Sequence, residues 1–310
     1  MLTELLQASV LIGILHSGIR LATPYLFAAL GETVAQRTGV LDLGVEGIML
    51  MGAISAFYVV FETGNLMLGI LAAIFVGALM GVLMSVISVT YQAEQGISGI
   101  GLYLFGLGLS SLLFRVLIGS VVSVTGFQEL HIPVLSDIPV IGEIFFQHNL
   151  LVYAAYLMVP VVWFLFDKTT LGLKIRSVGQ NPQAADSLGV SVNRVRYFGV
   201  IFGAAMAGVA GASLSIGTLN VFQENMTNGI GFIAVALVYF GGWRPLGVLF
   251  GSLLFATVSA MQIWGQVIGL NIPSDLMVML PYVLTIVVLI FSSGQIRQPA
   301  ALNKPFERSG

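Results

Sequence analysis

Long apolar stretches separated by brief polar connections set the pattern of this chain. Windows without a single Asp, Glu, Lys or Arg run over 63–93, 95–114, 144–166, 197–223, 225–243, 245–274 and 276–296. Each is near or above the roughly 20 residues that an α-helix needs to cross a hydrocarbon core of about 30 Å. Open strands are excluded there, because a sheet edge would leave backbone groups unpaired in lipid. The pattern predicts an all-α polytopic membrane protein with about nine transmembrane helices, at 8–30, 41–61, 66–91, 97–119, 150–167, 197–219, 229–243, 246–268 and 275–293. His16, Arg20 and Pro24 interrupt the first. The seventh is short and closes on Gly241-Gly242, which predicts a broken or partial crossing.

The basic residues test this count. Lys168, Lys174, Arg176, Arg194 and Arg196 share one connection, and Arg297, Lys304 and Arg308 share the tail. Loops rich in Lys and Arg stay cytoplasmic, and the four predicted spans between the two regions return the chain to the same side. Extending the alternation backwards adds Arg37 and Arg244. Ten of the twelve Lys and Arg residues then face one side, with Arg20 and Arg115 inside spans. The expected orientation is N-terminus outside and C-terminus cytoplasmic. Residues 1–296 form a single transmembrane domain, with a cytoplasmic loop at 168–196 and an external loop at 120–149; 297–310 form a cytoplasmic tail. The external loop carries Glu129, Asp137 and Glu143 and reads either as a plug or docking surface or as a plain connection. The acidic N-terminal Met-Leu-Thr-Glu, with no small-residue cleavage site, predicts no removable signal peptide.

Spans two and three share a texture with seven and eight: a short Gly-bearing helix, a tight turn, then a long helix with small residues three or four apart. The alternation runs span two outward and span seven inward, so the halves read as inverted repeats or as two unrelated Gly-rich pairs. Composition narrows the chemistry. Of 310 residues 57% are hydrophobic and 8% charged, too few charges to keep a soluble surface of this size in water. The 37 glycines point to closely packed helices, since lipid offers no hydrophobic drive for association. A net charge of −2 without any basic run favours no nucleic-acid reading. With no cysteine and only the scattered His16, His131 and His148, there is no metal site, cofactor or catalytic residue to propose.

Two segments carry polar chemistry. In Gly-Val-Leu-Asp-Leu-Gly-Val-Glu-Gly-Ile-Met-Leu, residues 39–50, Asp42 and Glu46 lie four apart on one helix face, with Glu32 and Arg37 nearby. Buried acids are costly and tend to face a bundle interior or a cavity, so Glu32, Asp42 and Glu46 read as pathway lining. Acids in a first turn also suit the helix dipole, a purely structural reading. The second segment is Gly-Gln-Asn-Pro-Gln-Ala-Ala-Asp-Ser-Leu-Gly-Val, residues 179–190. Asn181 suits an N-cap, Pro182 the first helical position and Gly189 a left-handed C-terminal cap. A helix so short is unstable alone and must dock on a partner or on its own bundle.

These segments, in this order and with 231–247 (Gly-Phe-Ile-Ala-Val-Ala-Leu-Val-Tyr-Phe-Gly-Gly-Trp-Arg-Pro-Leu-Gly), Leu-Ala-Thr-Pro at 21–24 and Ala-Leu-Gly-Glu at 29–32, carry a resemblance. Over essentially its whole length the chain resembles the membrane permease subunits of ribose-type and purine-nucleoside-type ATP-binding-cassette importers, in particular the shorter of the two paralogous nucleoside-type permeases. The resemblance implies a multi-pass protein of the bacterial plasma (inner) membrane that forms a pathway for nucleosides or simple sugars. It also implies three partners: a cytoplasmic ATP-binding subunit, a paralogous permease or a second copy of the chain, and an external substrate-binding lipoprotein. Residues 181–189 resemble the coupling helix that inserts into the ATPase, with Ala184, Ala185 and Leu188 as the inserted face, Asn181, Pro182 and Gly189 setting the ends, and Asp186 beside them. The chain has no Gly-x-x-x-x-Gly-Lys-Ser/Thr loop, in keeping with ATP hydrolysis on another subunit. Phe232, Tyr239 and Trp243 read as aromatic lining of the pathway or as an interfacial belt. Asp42 with Glu46 also fits an ion-coupled secondary transporter, which the coupling helix argues against.

Overall fold

The computed structural model describes residues 8–267 and 298–307, together with 279, 283, 286, 287 and 290. Eleven α-helices follow one another in 8–267: α1 (Ala8–Arg37), α2 (Val45–Thr63), α3 (Leu66–Ser85), α4 (Gln95–Leu117), α5 (Ile141–Phe145), α6 (Leu150–Lys168), α7 (Thr170–Gln180), α8 (Pro182–Ser187), α9 (Val192–Ser215), α10 (Ile230–Phe240) and α11 (Pro245–Val267). A π-helical turn, Val86–Thr90, continues α3. Two isolated bridges, Ser123 with Val221 and Glu129 with Asn149, are the only strand-like pairings among the described residues. Among the described residues, seven helices are long and apolar enough to cross a membrane: α1, α2, α3 with its π turn, α4, α6, α9 and α11. The expected seventh crossing, at 229–243, is α10, whose 11 residues rise only about 16 Å, half of a core of about 30 Å. The expected ninth, 275–293, lies outside the described residues.

The first span departs from its expected end at residue 30. Pro24 offers no N–H to the carbonyl of Arg20, yet α1 runs through it unbroken, 30 residues in all. Packing accounts for this. Leu26, Ala28, Ala29 and Leu30 are fully enclosed, and the polar continuation that looked like a loop, with Glu32, Thr33 and Gln36, is equally buried. The helix does not stop where polarity begins, because its polar end lies inside protein rather than in water.

The centre of the bundle is α9, which packs most extensively on α1, α3 and α2. Glycines set the spacing. A Cβ on Gly52 of α2 would meet the backbone of Gly208, a Cβ on Gly208 the carbonyl of Ala73 on α3, and a Cβ on Gly211 the carbonyl of Met49. Backbones approaching this closely replace the hydrophobic drive that lipid does not supply. Gly208→Leu should push α9 off α2 and α3 together, at a cost of roughly 3 kcal/mol or more. Gly101→Leu, where the added atoms meet open space on α4, is the matched control. Size-exclusion profiles and thermal midpoints in detergent check this; equal midpoints for the two variants would show that the α9 contacts are not close.

The connections gather into two sets. On one face the tail crosses the helix ends: Ala301 N–H donates to the Gly179 carbonyl at 2.9 Å, Asn303 N–H to Gly39 at 3.1 Å, and the Gln92 side chain to Phe306 at 2.8 Å. On the other, Val124 N–H donates to Asn220 at 2.9 Å, Arg115 forms a two-pronged pair with Glu224 at 2.8 and 3.0 Å, and His16 bonds the Glu143 carbonyl at 2.7 Å. The 120–149 loop is thus a folded cap, in which His148 stacks on His16 with 4.4 Å between ring centres. Burial pushes the His148 imidazole down to about 4, which keeps it neutral beneath the cap.

Candidate functional site

The short helix α10 is held at both ends by side chains of α1 and α2. Gly229 enters it with a left-handed φ of 89°, and its first N–H groups, which no helical carbonyl can satisfy, point at Glu46 in the first turn of α2. The Oε1 of Glu46 accepts from Thr227 Oγ1 at 2.6 Å and Gly229 N–H at 2.7 Å, and Oε2 accepts from Gly231 N–H at 2.6 Å. A carboxylate on three donors at a helix N-terminus combines charge-assisted hydrogen bonds with a favourable dipole. The dipole reading of Glu46 therefore has a specific form: it serves α10 rather than its own helix.

At the other end Trp243, with a left-handed φ of 55°, donates through its indole N–H to Gln36 at 2.7 Å. Gln36 donates in turn to Glu32 Oε1 at 2.9 Å, and the same oxygen accepts the backbone N–H of Asp42 at 3.1 Å. Asp42 folds back on Gly44 N–H at 2.7 Å, while Leu41 N–H is taken by Gln95 at 2.8 Å. An unbroken chain of hydrogen bonds thus links the foot of α10 to the turn between α1 and α2. Glu32, Asp42, Glu46 and Trp243 are each no more than 2% exposed; their polar groups are turned into protein contacts. Tyr239 packs edge-on against Trp243 at 4.7 Å. Among the expected aromatic residues Phe232 alone is open to the surroundings, 39% exposed and edge-on to Tyr103 at 5.2 Å.

Sequence reasoning missed Thr227, Gln36 and Gln95, which complete this network. Nothing local ties Gly229 to a carboxylate 183 positions away.

The second element of interest is α8, on the face crossed by the tail. Asn181 caps it by accepting from Ala184 N–H at 3.0 Å, Pro182 opens it and Gly189 closes it with φ 82°. One expectation needs correcting. Ala185 is 3% exposed and belongs to the chain's own core, because α8 rests on α7 and α9 along that face. The outward side is Ala184 with Leu188, which is 85% exposed. Neither α7 nor its cap Thr169, which accepts from Gly172 N–H at 3.0 Å, was expected; the basic residues had marked this stretch as loop.

Comparison with known proteins gives the constellation its setting. A family described as branched-chain amino acid transport system, permease component, matches residues 14–289. A protein of Haloferax volcanii provisionally assigned as a glucose ABC transporter permease, TsgC13, is 37% identical over 96% of this chain and 98% of its own. The guanosine ABC transporter permease NupQ of Bacillus subtilis is 34% identical over 92% and 93%. The nucleoside ABC transporter permease NupC of Lactococcus lactis is 36% identical over 90% and 92%. No solved structure matches significantly. The chain is a multi-pass membrane protein, and with a match over most of its length it belongs to the family of branched-chain amino acid transport system permease components.

Proposed function

We propose that the chain is one of two permease subunits of an importer for nucleosides or simple sugars in the plasma (inner) membrane, driven by a separate cytoplasmic ATP-binding subunit. The observation that carries this is α8, capped at both ends, seated on its own bundle through Ala185 and presenting Leu188 outward. An apolar side chain 85% exposed at a helix end that faces water is a contact awaiting a partner. The relatives' names support the substrate class, and Bacillus subtilis carries two permeases named for guanosine, NupQ and NupP, which supports a paralogous partner over a second copy. An external binding lipoprotein would meet the 120–149 cap, where Val134 and Ile141 are exposed. Phe232, and Tyr239 behind it, would face the pathway, with Glu32, Asp42, Glu46 and Trp243 as the frame that holds its wall.

The test is reconstitution with and without the ATP-binding subunit. Uptake of labelled nucleoside should require ATP and that subunit; uptake by this chain alone, driven by an ion gradient, would establish a secondary transporter instead.

The same reading sets the orientation as N-terminus outside, C-terminus cytoplasmic, with nine crossings including the half-crossing and inverted repeats. Glu94→Cys and Lys304→Cys should resist an impermeant thiol reagent in intact cells, whereas Glu129→Cys and Asp137→Cys should label. Labelling of position 304 from outside would reverse the orientation.

A further inference from the structure

We propose that the face of the bundle carrying α7 and α8 holds a specific site for an anionic phospholipid. A cleft of about 690 Å³ is lined there by Arg37 at the end of α1, Arg176 of α7, Arg244 ahead of α11, and Trp163, Phe166 and Asp167 of α6. Three guanidinium groups from three separate elements converge on one space. Among the described residues the only acid lining it is Asp167, 3.7 Å from Arg176, which leaves a surplus of two positive charges among them. Arg37 is laid over the Phe166 ring, 4.6 Å from its centre, a contact that fixes its direction. Arginine forks suit phosphate oxygens.

The apolar surroundings say which phosphate compound fits. Trp163 is exposed at the rim, as amphipathic rings are at a headgroup layer. Away from the arginines, Leu157, Val161 and Phe164 of α6 form an exposed apolar stripe at helical spacing. Leu246, Phe250 and Leu254 of α11 form another. The two helices pack on each other, and the α11 stripe begins at Leu246, which itself lines the cleft, so exposed apolar surface runs from beside the arginines along both helices. A polar anion such as inorganic phosphate could use the arginines but not the apolar stripes; a phosphatidylglycerol molecule uses both. Basic pockets between transmembrane helices are where such headgroups settle.

The assembled transporter, purified from membranes containing phosphatidylglycerol, should retain that lipid in native mass spectrometry. Arg176→Gln with Arg244→Gln, both exposed and outside the bundle core, should lower its occupancy at least fivefold while the complex elutes unchanged. Equal occupancy in the variant overturns the proposal. So does retention of inorganic phosphate without lipid, or efficient cross-linking of Arg244→Cys to the ATP-binding subunit in lipid vesicles, which would make the cleft a protein interface. If the double variant fails to assemble, Phe250→Asp takes its place. It alters only the apolar stripe of α11 and should lower lipid occupancy alone; unchanged occupancy there overturns the proposal equally.

Discussion

Glu46→Ala is expected to abolish recovery of the folded protein, and Glu46→Gln to restore it only in part. Alanine leaves three donors, Thr227 Oγ1 and the N–H groups of Gly229 and Gly231, without an acceptor in a site that water does not reach. At about 1–2 kcal/mol for each orphaned donor, the loss is roughly 3–6 kcal/mol, comparable with the whole stability of many domains. Glutamine can keep its carbonyl on Thr227 and Gly229, but its NH₂ then faces the N–H of Gly231, donor against donor. One bond is lost and one repulsion gained. Thermal midpoints and size-exclusion profiles of the two variants in detergent decide the matter. A Glu46→Ala protein with the parent's midpoint and reduced transport would instead make this carboxylate a contact of the transported solute.

The second large effect is confined to coupling. Leu188→Asp should leave the permease folded, because that side chain is 85% exposed, yet abolish ATP-driven uptake. In the complex the new charge would be buried without a partner, at a cost of several kcal/mol, and a loss of about 3 kcal/mol alone lowers occupancy of the docked state by about 150-fold. Ala184→Arg should act in the same way. Ala185→Arg should not: it strikes the chain's own core and should lower the yield of folded permease before any partner is involved. Normal expression of all three, with uptake lost in Leu188→Asp and Ala184→Arg but kept in Ala185→Arg, would still support the docking face; uptake kept in Leu188→Asp would remove it.

The long apolar helices were legible because lipid demands length and hydropathy of every crossing, and both are written in consecutive residues. The polar end of α1 was not legible. Glu32, Thr33 and Gln36 look like the start of a loop until the helices around them are in place. The same holds for Glu46, whose partners lie 181 to 185 residues further on. At α8 the caps are local and could be read from Asn181, Pro182 and Gly189. Which side of so short a helix would be inward could not, since that depends on where α7 and α9 run beneath it.

The tail crossing the helix ends is a tie rod. One bond fastens Ala301 to Gly179, two residues before the cap of α8, and another fastens Asn303 to Gly39, three residues before Asp42. Hydrogen bonds of 2.9 and 3.1 Å tolerate only a few tenths of an ångström of stretch before they fail. A pull on α8 therefore either detaches the rod or moves the Gly39 turn with it. Because Asp42 N–H rests on Glu32, Glu32 accepts from Gln36 and Gln36 from Trp243, such a displacement would reach the foot of α10 through three buried side chains in series, each handing its shift to the next.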